Sequence, residues 1–253
     1  MDQTFSLETY RALLHAGHDG GFRFATFAET PTVEDERVCV VRHDVDSDPG
    51  AAFEIAELEA EEGVRSTFFV MLRSAVYNLF KRENQELVAG IAALGHAIGL
   101  HYDPGFPPSR KRTHTQQISV ERRVLEDLLG LPVRAVAFPQ PSLIPGAFEI
   151  EVEGAVRANG LEGYHFVADP NQSLKVFDAF EVFRTGQPSK LQLLVHPMWW
   201  VDPELSAPEL WSRAIHAEWE RTQRQLLIER AYGPPRRMTL APELPNRKAE
   251  TIG

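Results

Sequence analysis

Two carboxylates and two histidines in this sequence stand directly after short segments rich in valine, isoleucine and leucine. Asp44 and Asp46 follow one such segment, His101 follows a second and His196 follows a third. Short apolar segments of this kind are typical of buried β-strands. In α/β folds the catalytic groups collect just beyond the carboxyl ends of the strands. We therefore expect these four side chains to converge on one rim of a sheet.

The pair Asp44 and Asp46 suggests metal chemistry. One apolar residue separates them, so both side chains face the same way in extended backbone. One carboxylate could hold a divalent cation while the other takes a proton from metal-bound water. Carboxylates in such loops also cap helices, but Asp48 already stands at the expected cap position. His101 favours a metal site because imidazole and carboxylate groups are common ligands of divalent ions, although a histidine there could equally be structural.

The third segment ends in a histidine followed by aromatic residues. His196 is followed by a proline and a methionine, and then by Trp199 and Trp200. A histidine in this position could protonate a leaving amine or stabilise an oxyanion. The tryptophans could stack on a sugar ring, but packing in the core explains them equally well.

The whole chain alternates between two kinds of hydrophobic pattern. Short β-rich runs are followed by longer stretches with apolar residues at helical spacing, most of which end at glycine or proline. This alternation predicts a parallel sheet with helical crossovers, as an open doubly wound sheet or a closed barrel. Strands are predicted at 37–42, 64–71, 97–100, 133–138, 164–167, 176–183 and 191–195, and helices from Ser6 through Leu14, from Pro49 to Gly63, and at 85–94, 118–129, 148–158 and 208–231.

The chain is predicted to form one domain with a short tail. Its 253 residues, 43% hydrophobic and 25% charged, have ordinary globular composition, and no internal repeat or long linker divides them. We expect a single domain over residues 1–232. Residues 233–253 are rich in proline and poor in apolar side chains, so we expect a mobile tail there.

Charge and cysteine content limit the partners and the compartment. The chain has 36 acidic and 26 basic residues, a net charge of −10, which disfavours nucleic acid or an anionic membrane as the main partner. The one cysteine, Cys39, excludes an intrachain disulfide and fits a reducing compartment. No signal segment or membrane-spanning stretch is recognised. We expect a cytoplasmic protein, and the sequence leaves its oligomeric state open.

Four segments, in order along the chain, resemble motifs of the polysaccharide deacetylase superfamily, also called carbohydrate esterase family 4 or the NodB homology group. The resemblance implies an α/β fold, a distorted (β/α) barrel with about seven parallel strands. It also implies hydrolysis of an acetyl or related amide on an amino sugar. The segments are Arg42–Asp46, Gly63–Val70, Leu94–His101 and Leu193–Pro197.

The resemblance also implies roles for individual residues. Asp44 would be the catalytic base and His196 the catalytic acid, and a divalent metal, for which we expect zinc, would be held by Asp46 and His101. Asp103 and His165 are possible additional ligands. Substrate contacts are expected from Tyr102, Gln140, Trp199 and Trp200.

The sequence departs from the family pattern in three places. A second histidine is expected four residues after His101, but Gly105 stands there. The stretch Phe138–Pro141 lacks the arginine of the corresponding family motif, and the fourth motif is only faintly visible around Asp169. A metal held by Asp46 and His101 alone would be under-coordinated, so other side chains or waters must complete its shell.

The leading hypothesis is a metal-dependent hydrolase that removes an acetyl group from a small amino sugar, nucleotide-sugar or glycoside. A second hypothesis is a non-catalytic relative that binds carbohydrate in the same cleft. A third is an enzyme that uses the carboxylates and histidines for acid–base chemistry without a metal. Dinucleotide-binding, Walker and nucleophile-elbow motifs are absent from the sequence.

Overall fold

The computed structural model describes residues 4–29, 36–109 and 111–229. The predicted tail, 233–253, lies outside the described residues, so the domain boundary at 232 stays a prediction. None of the helices in the described ranges combines the length and apolar content needed to span a lipid bilayer.

Strands and helices alternate through most of the chain. The helices are α1 (Leu7–Asp19), α2 (Pro49–Glu61), α3 (Arg82–Ala93), α4 (His114–Leu129), α5 (Asp178–Thr185) and α6 (Ala207–Glu229). The strands are β1 (Arg23–Ala25), β2 (Val38–Val45), β3 (Thr67–Val70), β4 (Ala97–His101), β5 (Ala135–Ala137), β6 (Val156–Arg157), β7 (His165–Ala168) and β8 (Lys190–Val195).

All strand pairs in the sheet are parallel. The strand order is β6-β5-β4-β3-β2-β8-β7, and β1 pairs with the first half of β2. Within the described residues β6 and β7 do not pair, so the curled sheet stays open along one seam. The predicted distorted (β/α) barrel with about seven parallel strands is thus confirmed. The short β1 was not predicted from the sequence.

The central strand β2 is covered on both faces. All eight of its residues are buried, as expected for a parallel strand with helices outside and a packed interior. Side chains alternate between the faces, so His43 points toward the helices and Asp44 toward the interior of the curled sheet. Two polar systems therefore lie back to back across one strand.

Hydrogen-bonded caps fix the turn between β2 and α2 and the start of α1. The Asp48 side chain accepts a hydrogen bond from Gly50 N at 2.9 Å and Pro49 opens α2, as predicted. Arg221 of α6 donates to Asp48 at 2.8 Å and joins the last helix to this turn. The predicted cap at Ser6 is also present, with Thr9 N donating to its hydroxyl oxygen at 3.1 Å.

The prediction of a helix at 148–158 is wrong. A 3-10 turn at Ala147–Glu149 and strand β6 occupy this stretch. Gly154 between them has φ of +66°, a left-handed conformation that interrupts a helix. Only two residues of the segment join the sheet, which makes β6 a short edge strand.

The strand predicted at 176–183 is also wrong, because this segment is a 3-10 turn that continues into α5. Val176, Ala179, Val182 and Phe183 are buried, and their spacing is helical rather than alternating. The β-branched and aromatic side chains favour a strand locally, but packing of this apolar face stabilises a helix.

A buried carboxylate joins α2 to the outer face of the sheet. Glu59 is fully buried and accepts hydrogen bonds from the Tyr10 hydroxyl at 2.5 Å and the Ser66 hydroxyl at 2.5 Å. Its Oε1 also lies 2.9 Å from His43 Nε2. A carboxylate this deep is tolerated only with several donors.

We expect Glu59→Ala to lower the free energy of unfolding by about 3–5 kcal/mol, because three buried polar groups lose their acceptor at once. Glu57→Ala is the matched control, since Glu57 lies on the same helix but is exposed and should change stability by less than about 0.5 kcal/mol. Urea denaturation of both variants measures the difference. Equal effects would contradict a structural role for the buried carboxylate.

Candidate active site

The structure brings the four strand-end side chains together. His101 Nε2 lies 3.1 Å from Asp46 Oδ1 and 3.5 Å from Asp44 Oδ2. His196 Nε2 approaches the same carboxylate from β8, 3.8 Å from Asp46 Oδ2. The carboxyl ends of β2, β4 and β8 supply these groups, because parallel strands end at one edge of the sheet.

Arg42 holds the Asp44 carboxylate in a buried two-point ion pair. Its Nε and Nη2 donate to Asp44 Oδ1 and Oδ2, each at 2.7 Å, and Nη2 also reaches Phe138 O at 3.4 Å. Burial by itself would raise the pKa of Asp44, but the positive charges of Arg42 and His101 lower it to about 2. Asp44 therefore stays ionised across the working pH range. From β2, the Arg42 guanidinium thus reaches Phe138, the residue that follows β5 and begins the stretch 138–141.

The His101 ring is oriented as metal-binding histidines are. Its Nδ1 lies 3.2 Å from Ala137 O and must donate there, because a carbonyl oxygen only accepts. Nε2 therefore faces Asp44 and Asp46, is buried, and has no hydrogen-bond partner of suitable geometry. Burial lowers the pKa of His101, but the two carboxylates raise it overall. A nitrogen placed between carboxylates requires a proton or a metal cation, so Nε2 is positioned to carry either one.

Asp169 holds the His196 ring and is a residue that the sequence analysis did not assign. His196 Nδ1 donates to Asp169 Oδ1 at 2.6 Å, and the Trp200 indole donates to Oδ2 at 2.8 Å. Burial lowers the pKa of His196, but the charge and hydrogen bond of Asp169 raise it to about 9. The signal available in the sequence was the position of Asp169 directly after a strand.

The two possible additional ligands lie away from the four clustered side chains. Asp103 is used within its own turn, where its Oδ1 accepts from Gly105 N at 2.7 Å. His165 opens β7 and pairs with Leu191, at the amino end of the strands, opposite the rim that carries His196. Neither lines the cleft, so the expectation that they complete the metal shell is not supported.

The predicted substrate contacts divide into two groups. Gln140 and Trp199 line the cleft beside the clustered side chains. Tyr102 is 1% exposed and hydrogen-bonds His114 at 2.8 Å, and Trp200 is fully buried against the core. Both point away from the cleft because neighbouring residues in extended or turning backbone face different sides. The prediction that Tyr102 and Trp200 contact substrate is therefore corrected.

The clustered side chains open into a cleft of about 720 Å³. This volume is in the upper part of the range usual for small-molecule sites. Its walls beyond the charged cluster are mostly aromatic and aliphatic: Phe138, Pro139, Leu143, Phe148, Leu161, Phe166, Leu194, Trp199 and Trp211. The arrangement combines one acid–base cluster with a large apolar surface.

Two protein donors, Asp46 and His101, are the groups best placed to hold a metal ion. Within the part of the chain that the structure describes, no set of three His, Cys, Asp or Glu side chains has the arrangement of a ready metal site. Solvent or substrate oxygens would have to supply the other ligands.

No model of a known protein family matches the chain, and no curated protein matches it. Among solved structures, it is similar to a family 4 carbohydrate esterase from Bacillus anthracis (14% identity, 85% of this chain and 86% of that chain, TM-score 0.40). It is also similar to a polysaccharide deacetylase from Bacillus cereus (15% identity, 74% of this chain and 89% of that chain, TM-score 0.43). A third similar structure is a family 4 pseudoenzyme from Bacillus anthracis (15% identity, 76% of this chain and 63% of that chain, TM-score 0.43). These proteins belong to the family that the sequence motifs resemble.

We expect Asp46→Ala to abolish stoichiometric metal binding, because it removes one of the two donors that the fold aims at a common point. Asp103→Ala is the matched control, and it should bind metal as the wild type does because its carboxylate caps a turn outside the cleft. Zinc titration followed by calorimetry, with metal analysis of protein purified without chelators, measures both. Unchanged binding in Asp46→Ala would remove this assignment.

Proposed function

We propose that this protein is a metal-dependent hydrolase that removes an acetyl or related acyl group from the nitrogen of a small amino sugar, nucleotide-sugar or glycoside. One observation carries the proposal: a carboxylate held by an arginine and a histidine held by a carboxylate face one cleft, on either side of the pair Asp46 and His101. The directions of the pKa shifts agree with this geometry, because Arg42 lowers the pKa of Asp44 and Asp169 raises the pKa of His196. A lowered and a raised pKa keep a base ionised and an acid protonated at the same pH.

The residues divide the chemical work between them. Asp46 and His101 would hold the cation, which on binding would polarise the amide carbonyl and acidify the attacking water. Asp44 accepts the proton of that water, and Arg42 holds its carboxylate in one orientation. His196 donates its Nε2 proton to the leaving nitrogen, and Asp169 fixes the ring through Nδ1. The products are a free amine and a carboxylate.

The cleft supports a sugar-sized substrate. Trp199 and Trp211 both line the cleft, and the Trp211 ring is 38% exposed. An exposed aromatic ring beside the charged cluster offers an apolar surface on which a sugar can stack. A cytoplasmic location, which favours a small substrate over a wall polymer, belongs to the same proposal.

Replacing either acid–base residue should abolish most turnover while leaving substrate binding in place. We expect Asp44→Asn and His196→Ala each to lower kcat on N-acetylglucosamine or a related N-acetyl sugar by roughly 10²- to 10⁴-fold. Acetate release in the presence of zinc, together with calorimetric binding of the sugar, measures the two effects separately. His216→Ala is the control, since His216 lies exposed on α6. Full activity in both site variants would exclude this division of roles.

The pH dependence should show which residue sets the alkaline limb. Activity needs Asp44 ionised and His196 protonated, so the rate should be bell-shaped and should fall as pH rises through the His196 pKa. Because the Asp169 charge raises that pKa, Asp169→Asn should move the alkaline limb of kcat/KM to lower pH. Asp127→Asn, an exposed aspartate on α4, should leave the limb in place. A limb that does not move in Asp169→Asn would show that another group sets it.

A non-catalytic carbohydrate-binding protein is the second candidate. The observation that favours it is the short ligand set, with Gly105 and Asp103 contributing nothing to the cleft. This candidate predicts that the wild type binds an acetylated sugar but releases no acetate with zinc, cobalt, nickel or manganese. Acetate release with any of these metals decides in favour of the hydrolase.

A further inference from the structure

The cleft continues below the catalytic histidine along β8. Leu194 and Gln192 precede His196 by two and four residues, so strand alternation places their side chains on the same face as the histidine. Both residues line the cleft. At a rise of about 3.3 Å per residue, the face from His196 to Gln192 is about 13 Å long.

Strand β7 forms the adjoining wall. Ala168 pairs with Leu194 and Phe166 pairs with Gln192, and both β7 side chains line the cleft. Ala168 leaves space beside Leu194 because it has only a methyl side chain. Phe166 is 53% exposed, with its ring at the open side. We call the surface formed by Phe166, Ala168, Gln192 and Leu194 the β7–β8 trough.

The trough offers little to a polar ligand. Gln192 Nε2 already donates to Ala158 O at 3.0 Å. Asn159, on the facing side, is satisfied by Phe138 through bonds of 2.6 and 3.0 Å. Among the described residues that line the cleft, every charged side chain belongs to the acid–base cluster: Arg42, Asp44, Asp46, His101 and His196.

We propose that the β7–β8 trough binds the acyl chain of the substrate and that this chain is longer than acetyl. The proposal rests on the proposed amide hydrolysis. The acyl carbon lies one bond from the amide nitrogen that takes the proton of His196, and Leu194, two residues earlier, is the first apolar side chain on the same face of the strand. An acetyl methyl would cover only the first few ångströms of the trough. A chain of about eight carbons would fill it and remove apolar surface from water.

The reaction on such a substrate is balanced by water alone. The amide C–N bond breaks and a C–O bond forms to the water oxygen. One water proton passes through Asp44, and His196 supplies the proton that the leaving nitrogen takes. A medium-chain fatty acid and the free amino sugar are released.

The test compares N-octanoyl-glucosamine with N-acetyl-glucosamine in the zinc-loaded protein. We expect kcat/KM for the octanoyl substrate to be at least about tenfold higher, since each buried methylene contributes about threefold to fourfold. Ala168→Phe, which fills the trough, and Phe166→Ala, which removes its outer wall, should each lower the octanoyl-to-acetyl ratio. Phe80→Ala is the matched control, since Phe80 is 55% exposed and lies outside the cleft, and it should leave the ratio unchanged.

A second measurement separates the trough from the chemistry. Calorimetry of both sugars with Asp44→Asn reports binding without turnover. Tighter binding of the octanoyl sugar supports the trough even if neither the wild type nor any variant hydrolyses either sugar. Such binding without hydrolysis overturns only the proposed hydrolase. Hydrolysis of both substrates with a ratio near one overturns the trough and leaves the hydrolase standing. Equal binding without hydrolysis overturns both.

Discussion

The ion pair between Arg42 and Asp44 is the constraint on which the site depends. Both side chains are almost fully buried, and burial of either charge alone would be very unfavourable. The two residues lie on the same face of one strand, so the backbone of β2 sets their separation directly. The pair also reaches Phe138 O across the sheet interior, so it joins the strand that carries Asp44 to the end of β5. Local sequence thus fixes the orientation of the Asp44 carboxylate, the proposed base.

The opposite face of β2 packs against a second buried charge, the Glu59 carboxylate. His43 points outward to Glu59, which also accepts from Tyr10 and Ser66. A central strand with buried ionisable groups on both faces is unusual, because every buried charge must have a partner. Here α1, α2 and Ser66, which directly precedes β3, supply the partners behind the strand, and the cleft lies in front. The outer network therefore stabilises the strand that carries Asp44.

Much of this arrangement could be predicted from local sequence, and the failures have physical causes. The cap at Asp48 and the polar residues after each strand are local signals, so the convergence of Asp46 and His101 was predictable. The helical turn at 176–183 depends on tertiary packing of one apolar face, which overrides the β propensity of its residues. The role of Asp169 could not be predicted, because a lone aspartate after a strand can serve many purposes and only the fold shows that it faces His196.

The open seam connects the fold to the kind of ligand it can hold. Edge strand β6 has two residues and β7 has four, and these two strands do not pair with each other among the described residues. A closed barrel of this size fills its interior with side chains, whereas an open one leaves interior surface next to the strand ends. Ala168 and Leu194 lie on that surface directly beneath His196. The register of β7 and β8 thus sets the inner wall of this space beside His196, and residues between the strands, such as Pro139, Leu143 and Leu161, line the rest of the cleft.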